Sequence, residues 1–358
     1  MQTERSVELL RRLSEAAGPP GAEDEVRRVV RETLDGVGAL RHDRLGSLLC
    51  ELRGAADSPR VVLDSHLDEV AFMVQSVSED GLVAFVPLGG WWSHVLLGQR
   101  VDVLGDGGKR PGVIGSKPPH FLKPEERQNV LPVESMYVDL GASSRAQVAE
   151  LGVRVGDMIV PSTAFREMAV EGVISGKALD NRVGVALMCE ALLALAGREH
   201  PNTVVGVGAV QEELGARGAA TAAELARPDV AVVLECTPAD DLPGNSQRQA
   251  KLGGGPQLRH YDPTAVPNRR LVRLVEELAA ELGLPLQLAV RRSGGTDAAA
   301  IQRSRDGVPA VVIGVPARYI HSHVALLQLA DYRAALELVL ELVARLDAVR
   351  VEQLTRFD

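Results

Sequence analysis

After Glu171 the hydrophobic pattern of this chain becomes a regular exchange between short apolar runs and longer helical stretches, and few architectures accommodate it. Helix is expected over 181–196, strand over 202–210, helix-forming composition over 219–226 and strand over 229–235. A further helix spans 268–282, strands fall at 286–290 and 309–314, and a helix over 331–346 closes the chain. Strands that alternate with helices must run largely parallel, with helices on both faces. The expected fold is therefore α/β, a mixed but largely parallel sheet sandwiched by helices. The N-terminal segment fits the same plan. Helices are expected over 5–17 and 23–34, with Gly18-Pro-Pro-Gly21 between them, then strands at 47–52 and 60–65.

From about Ala71 to Val160 the character differs. Short strand-like pieces alternate with turns, and only 144–151 suits a helix. This reads as a small β-barrel-like domain, 71–164, inserted into a larger one made of 1–70 and 165–358. Both tryptophans, Trp91 and Trp92, fall in the insert, where packing or interface anchoring suits them better than substrate stacking.

A chain of 358 residues with a net charge of −9 offers no basic surface for nucleic acid. Its start lacks the pattern of a signal peptide, and no apolar run is long enough to span a membrane. Cys50, Cys189 and Cys236 are sparse, without a CxxC spacing, and read as reduced core residues, so the default location is cytoplasmic.

Chemistry-bearing residues gather where strands are expected to end, which is where open α/β sheets bind ligands. Glu212-Glu213 follows the run 202–210, with Gly215 and Gly218 freeing the backbone so that both acids can reach one cavity. A buried carboxylate pair repels itself unless cations neutralise it. His66-Leu67-Asp68 places an acid two residues from a histidine, which suits either a structural pair or a partner that orients a metal ligand. Asp180 and Asn181 stand before a helix, where either is an N-cap candidate and Asp180 is also suited to bridging two ions. Glu235, Gly294-Gly-Thr-Asp297 and His321-Ser-His323 complete the series. Together these residues fit two divalent cations with nitrogen and oxygen ligands, zinc or cobalt rather than calcium.

The motifs Ser65-His66-Leu-Asp68-Glu69, Gly176-Lys-Ala-Leu-Asp180-Asn-Arg182, Gln211-Glu-Glu-Leu-Gly-Ala-Arg-Gly218, Gly295-Thr-Asp297 and Arg318-Tyr-Ile-His321-Ser occur in one order along nearly the whole chain. With Leu88-Gly-Gly-Trp, Gly115-Ser-Lys-Pro-Pro-His120 and Asp139-Leu-Gly-Ala in the insert, they resemble the TET and deblocking (glutamyl-type) aminopeptidases, dinuclear metallopeptidases of clan MH. The resemblance implies an aminopeptidase acting on short peptides with two divalent metal ions, His66 on one, Asp180 bridging both, and Glu213 and His321 on the second. Glu212 becomes the general base, Asp68 supports His66, and Gly254, Gly295 and Arg318 lie in loops expected to contact substrate. It also implies dimers that assemble into a tetrahedral dodecamer, with the insert in the contacts.

The chain departs from the pattern in three places. Glu235 stands where Asp is usual among the metal ligands, Ala71 where Gly is usual, and Ser322-His323-Val324-Ala325 replaces Ser-Pro-Val-Glu. His323 is expected at the surface or behind the ligands. Two other functions share these residues: a dinuclear amidohydrolase acting on N-acyl amino acids, and a non-catalytic assembly protein with a decayed site. Retention of Glu212, which binds no metal in this scheme, argues against decay.

Overall fold

The computed structural model describes residues 2–357. Its larger part is the expected mixed α/β sheet. The strand path runs Ala39–His42, Leu48–Leu52, Thr203–Ala209, Arg60–His66, Val230–Pro238, Ala310–Arg318, Ala325–Gln328, Val173–Gly176 and Arg166–Glu167. Gln257–Tyr261 pairs with Ala310–Arg318 and carries Gln287–Val290 beside it. The four central strands are parallel and the strands flanking them antiparallel, while Gln257–Tyr261 and Gln287–Val290 pair parallel with each other. Register is what places the chemistry. Ala209 lies opposite His66, Val233 opposite Asp64 and Glu235 opposite Gly314, so neighbouring strands end on one rim.

The helix Leu179–Leu195 is apolar nearly all round and accordingly buried, lying between the sheet and the helices Gln2–Glu15 and Leu329–Arg345. On the opposite face the Ala-rich helix Arg217–Ala226 presents Ala219, Ala222, Ala223 and Ala226 to Val205, Val207 and other strand residues, small side chains that allow close approach. Cys50, Cys189 and Cys236 are buried free thiols.

Between Ala71 and Pro161 six strands close into a barrel in the order Ala71–Val77, Leu82–Leu88, Tyr137–Asp139, Gly108–Gly115, Arg100–Gly105, Met158–Pro161. Alternate residues point inward, and Phe72, Val74, Val101, Val103, Ile114 and Ile159 form part of a core separate from that of the sheet. The one helix expected here is present as Arg145–Glu150, capped by Ser144, whose hydroxyl accepts the Gln147 N–H at 3.3 Å.

Several elements lie outside the sequence reading. The short strands 39–42, 166–167, 173–176 and 325–328 carry too few residues for their period to show, and Gln257–Tyr261 follows directly on the glycine-rich loop. Ala348–Leu354 forms a last helix, capped by Asp347, whose carboxylate accepts the Arg350 N–H at 2.7 Å.

Candidate active site

His66 is the last residue of its strand and Glu235 lies in the adjacent one. Glu212 and Glu213 follow the strand Thr203–Ala209 in a single 3₁₀ turn, entered through Gln211 at φ +56° and left through Gly215 at φ +103°. Left-handed backbone at a non-glycine residue is unfavourable and needs support from its surroundings. The buried carboxylate of Asp68 supplies it, accepting the Glu212 N–H at 2.9 Å and the Glu213 N–H at 3.0 Å. The same carboxylate lies 3.4 Å from His66 Nδ1, whose other neighbour is the Asp68 carbonyl oxygen at 3.1 Å. Asp68 thus orients the histidine and the double-glutamate turn together.

At the start of the helix Leu179–Leu195 the backbone is non-helical at Asp180 and Asn181. Of the two, Asn181 takes the capping contact. Asn181 Oδ1 accepts the Gly184 N–H at 3.1 Å, while the Asp180 carboxylate faces the strand ends. Its Oδ1 is 3.3 Å from His66 Nε2 and its Oδ2 is 3.4 Å from His321 Nε2. Glu213 Oε1 is also 3.4 Å from His321 Nε2, and Glu212 and Glu235 each bring an oxygen to 3.9 Å from His66 Nε2. His321 Nδ1 donates to the Gly90 carbonyl at 2.7 Å, so both histidines turn Nε2 into the cluster.

These residues fit divalent cations. Ligand atoms bound tetrahedrally at about 2.0–2.1 Å from one ion stand roughly 3.3–3.4 Å apart, the separation seen between Asp180 and each histidine. Ligand atoms of His66, Asp180 and Glu213 all lie within 4.8 Å of one another. The protonation pattern agrees. Burial pushes the carboxyls of Glu212, Glu213 and Glu235 up, and neighbouring acids add to the rise. Both imidazoles are held above their usual range: burial opposes this, but Asp180 and the surrounding carboxylates outweigh it. A site so rich in negative charge stabilises cations, whether protons or metal.

Behind the cluster lie residues that the sequence reading did not assign. Glu69 is buried and accepts Lys177 Nζ on both oxygens at 2.6 and 2.7 Å, Arg182 Nη2 at 3.2 Å and the Gly18 N–H at 3.1 Å. This network brackets Asp180 on both sides in sequence. Asp64, unassigned too, is fully buried with its carboxyl adjacent to that of Asp297, which the sequence reading counted among the strand-end acids; both are pushed up by burial and by nearby acids. The available signal was a charged residue inside an apolar strand, Val61-Val-Leu-Asp64.

The cluster opens into a cleft of about 490 Å³ whose other wall includes Arg259, Arg291 and Gly295. Its acids all belong to the cluster, while among the described residues the two arginines are its only other charged lining apart from the histidines. Gly254 and Arg318, expected near substrate, do not line it. Gly254 abuts the Gln287 side chain, in a loop whose Gly253 and Gly255 N–H groups donate to Asp331. Arg318 is held by Asp241 through two hydrogen bonds at 2.8 and 2.6 Å. His323 is buried against Trp91 and is not at the surface.

A largely parallel sheet with a His/Asp/Glu cluster on its carboxyl rim, beside a closed barrel, defines a metallopeptidase of the aminopeptidase type. The chain belongs to the M42 glutamyl aminopeptidase family, whose model matches residues 46–338, and it is a hydrolase of peptide bonds. It is 33% identical over 349 residues to the glutamyl aminopeptidase of Lactococcus lactis subsp. cremoris, covering 96% of this chain and 98% of that one. The crystal structure of a TET aminopeptidase from the marine sediment archaeon Thaumarchaeota archaeon SCGC AB-539-E09 superposes with a TM-score of 0.97 at 44% identity, covering 99% and 100% of the two chains. The Pyrococcus horikoshii TET1 peptidase, described as assembling into a tetrahedron or a large octahedral shell, gives 0.85 at 30% identity over 95% and 100%.

Proposed function

We propose that the chain is a dinuclear aminopeptidase that removes N-terminal residues from short peptides. The observation that carries this reading is the Asp180 carboxylate, which turns one oxygen to His66 and the other to His321. One divalent ion would be held by His66, Asp180 and Glu235, the second by Asp180, Glu213 and His321, with zinc or cobalt suited to the mixed nitrogen and oxygen donors. Glu235 is one methylene longer than the usual Asp and still reaches the His66 end of the cluster. Bound there, the cations would polarise the scissile carbonyl and lower the pKa of the attacking water.

Glu212 is the general base. It lines the cleft and carries a raised pKa, so it can take a proton from the attacking water and hand it to the leaving amine. Asp68 fixes the turn that carries it. In the opposite wall, beside Gly295, Arg259 is paired with Asp262 at 3.1 Å and Arg291 with Asp240 at 2.8 Å, so these arginines shape the cleft rather than present a free charge to the substrate side chain. Exposed Trp92 and Phe121 on the inserted barrel suit contacts between copies, and we place these in dimers that build a tetrahedral dodecamer. Among the described residues no helix is long and apolar enough to cross a membrane, and the free thiols suit a reducing cytoplasm.

Metal-stripped protein, resupplied with zinc or cobalt, is to be assayed on free and N-acetylated aminoacyl-p-nitroanilides. Cleavage of the free-amine set alone is expected; preference for the blocked set would make the protein an amidohydrolase. Glu212→Gln should abolish turnover while zinc binding persists, and near-normal rates in that variant would remove Glu212 from the base role.

A further inference from the structure

The proposed second ion site is completed by the inserted barrel as well as by the larger domain. After the barrel strand Leu82–Leu88, the chain passes through Gly89 and Gly90 directly against the cluster. A Cβ on Gly89 would stand 2.8 Å from the Val70 side chain and 3.3 Å from Glu213, and one on Gly90 would stand 3.2 Å from His321 Nδ1. Only glycines allow the carbonyl of residue 90 to come close enough to accept the His321 Nδ1–H at 2.7 Å. The barrel therefore touches Glu213 and His321, both on one side of the Asp180 bridge.

The next residue anchors this approach. Trp91 stacks on Phe72 of the barrel core at 4.6 Å and 20°, and its Nε1–H donates to the Ala71 carbonyl at 3.0 Å. On Trp91 lies His323, at 5.3 Å and 53°, buried and only two residues beyond His321. Ser322 ties the turn between them by donating to a carbonyl of the same turn at 2.7 Å, while Tyr319 and His321 themselves sit at φ +64° and +55°. A turn in left-handed backbone at non-glycine residues needs external contacts to persist. The barrel supplies two: the Gly90 carbonyl on His321 and the Trp91 ring on His323.

We propose that Trp91 and His323 are positioning residues that latch the His321 turn to the barrel and thereby set the affinity of the Glu213–His321 ion site. This rests on the dinuclear reading above. A histidine's hydrogen-bonding partner fixes its ring orientation, and loss of such support lowers metal affinity by roughly 10–100-fold. The His66 side of the bridge is oriented by Asp68 instead and is independent of the latch.

The test is zinc binding to metal-stripped, full-length protein by calorimetry, with His321→Ala marking which of two binding events belongs to the latched site. Trp91→Ala and His323→Ala should each weaken that event about 10-fold or more and leave the other within about 2-fold. His323→Phe, which keeps a ring on Trp91, should restore it to within about 3-fold. Should Trp91→Ala fail to fold, the His323 pair decides alone. Unchanged affinity in folded His323→Ala, or His323→Phe as weak as His323→Ala, would overturn the latch. A wild-type chain that binds no zinc, or only one ion, would overturn the dinuclear reading and the latch with it.

Discussion

Asp68→Asn isolates the carboxylate that holds the double-glutamate turn. Wild-type Asp68 gives one oxygen to each of two backbone N–H groups, at 2.9 and 3.0 Å, from a fully buried position. Asparagine keeps one acceptor and turns an NH2 group towards the other N–H. Losing a hydrogen bond to a charged group costs about 1.5–3 kcal/mol, and stranding a buried donor adds about 1–3. Removing the charge also relieves repulsion with Glu212 and Glu23, whose carboxyls Asp68 helps to push up. The net expectation is about 2–4 kcal/mol of destabilisation, read from denaturant midpoints at unchanged slope. His66 keeps the Asp68 carbonyl oxygen beside Nδ1 but loses the carboxylate, so zinc affinity at the His66 side should drop roughly 10-fold. A variant within about 0.5 kcal/mol of wild type, well below the cost of one such bond, would refute the claim that this carboxylate supports the strained turn.

A further expectation follows from a buried acid. Glu23 is buried beside the same turn, accepting the Gly21 N–H at 2.7 Å and the Gln211 N–H at 3.2 Å, and burial raises its pKa from 4.5 to about 7. Because the folded form holds this proton more tightly than the unfolded form, stability falls as pH rises from about 4.5 to about 7, by up to roughly 3 kcal/mol. Glu23→Gln should flatten that slope, as measured by urea unfolding at pH 5 and pH 8; equal slopes would exclude Glu23 as its source.

The elements long enough to carry a period were legible, and so were the acids and histidines at their ends. His66, Asp180, Glu213, Glu235 and His321 were all marked by acids or histidines next to apolar runs, and the fold brings them together. The inserted barrel was visible because its strands are short and closely spaced. What holds these side chains in place was not visible. Glu69 with Lys177 and Arg182, and the stack of Phe72, Trp91 and His323, join residues far apart in sequence through contacts that no local pattern encodes. Gly254 and Arg318 illustrate the converse. A glycine-rich loop and an arginine beside a histidine both suggest a ligand contact, yet the loop is fixed by Asp331 and the arginine by Asp241.

The charge pattern of the cluster determines how metal and protons exchange there. Without metal, Asp180 and its neighbouring acids raise both imidazoles, His321 to about 10, despite burial that works against them. His321 is therefore protonated near pH 7.5, and its ion pair with Asp180 stabilises the fold fully below about pH 6.5 and is lost as pH rises through about 10. A cation bound at Nε2 must displace that proton. Zinc uptake at pH 7.5 should thus release at least one proton from His321, with more from Glu213, whose carboxyl burial raises to about 8, and affinity should drop at least about 10-fold for each pH unit lowered towards 6.5. The thermal stabilisation produced by zinc should grow as pH rises over the same interval, since metal binds more tightly where fewer protons compete. Calorimetry in buffers of differing ionisation enthalpy gives the proton count directly. Release of fewer than about 0.5 protons would mean that neither the His321 imidazole nor the Glu213 carboxyl carries a proton in the metal-free protein, and the account of how this acid-rich site folds before it is loaded would have to be abandoned.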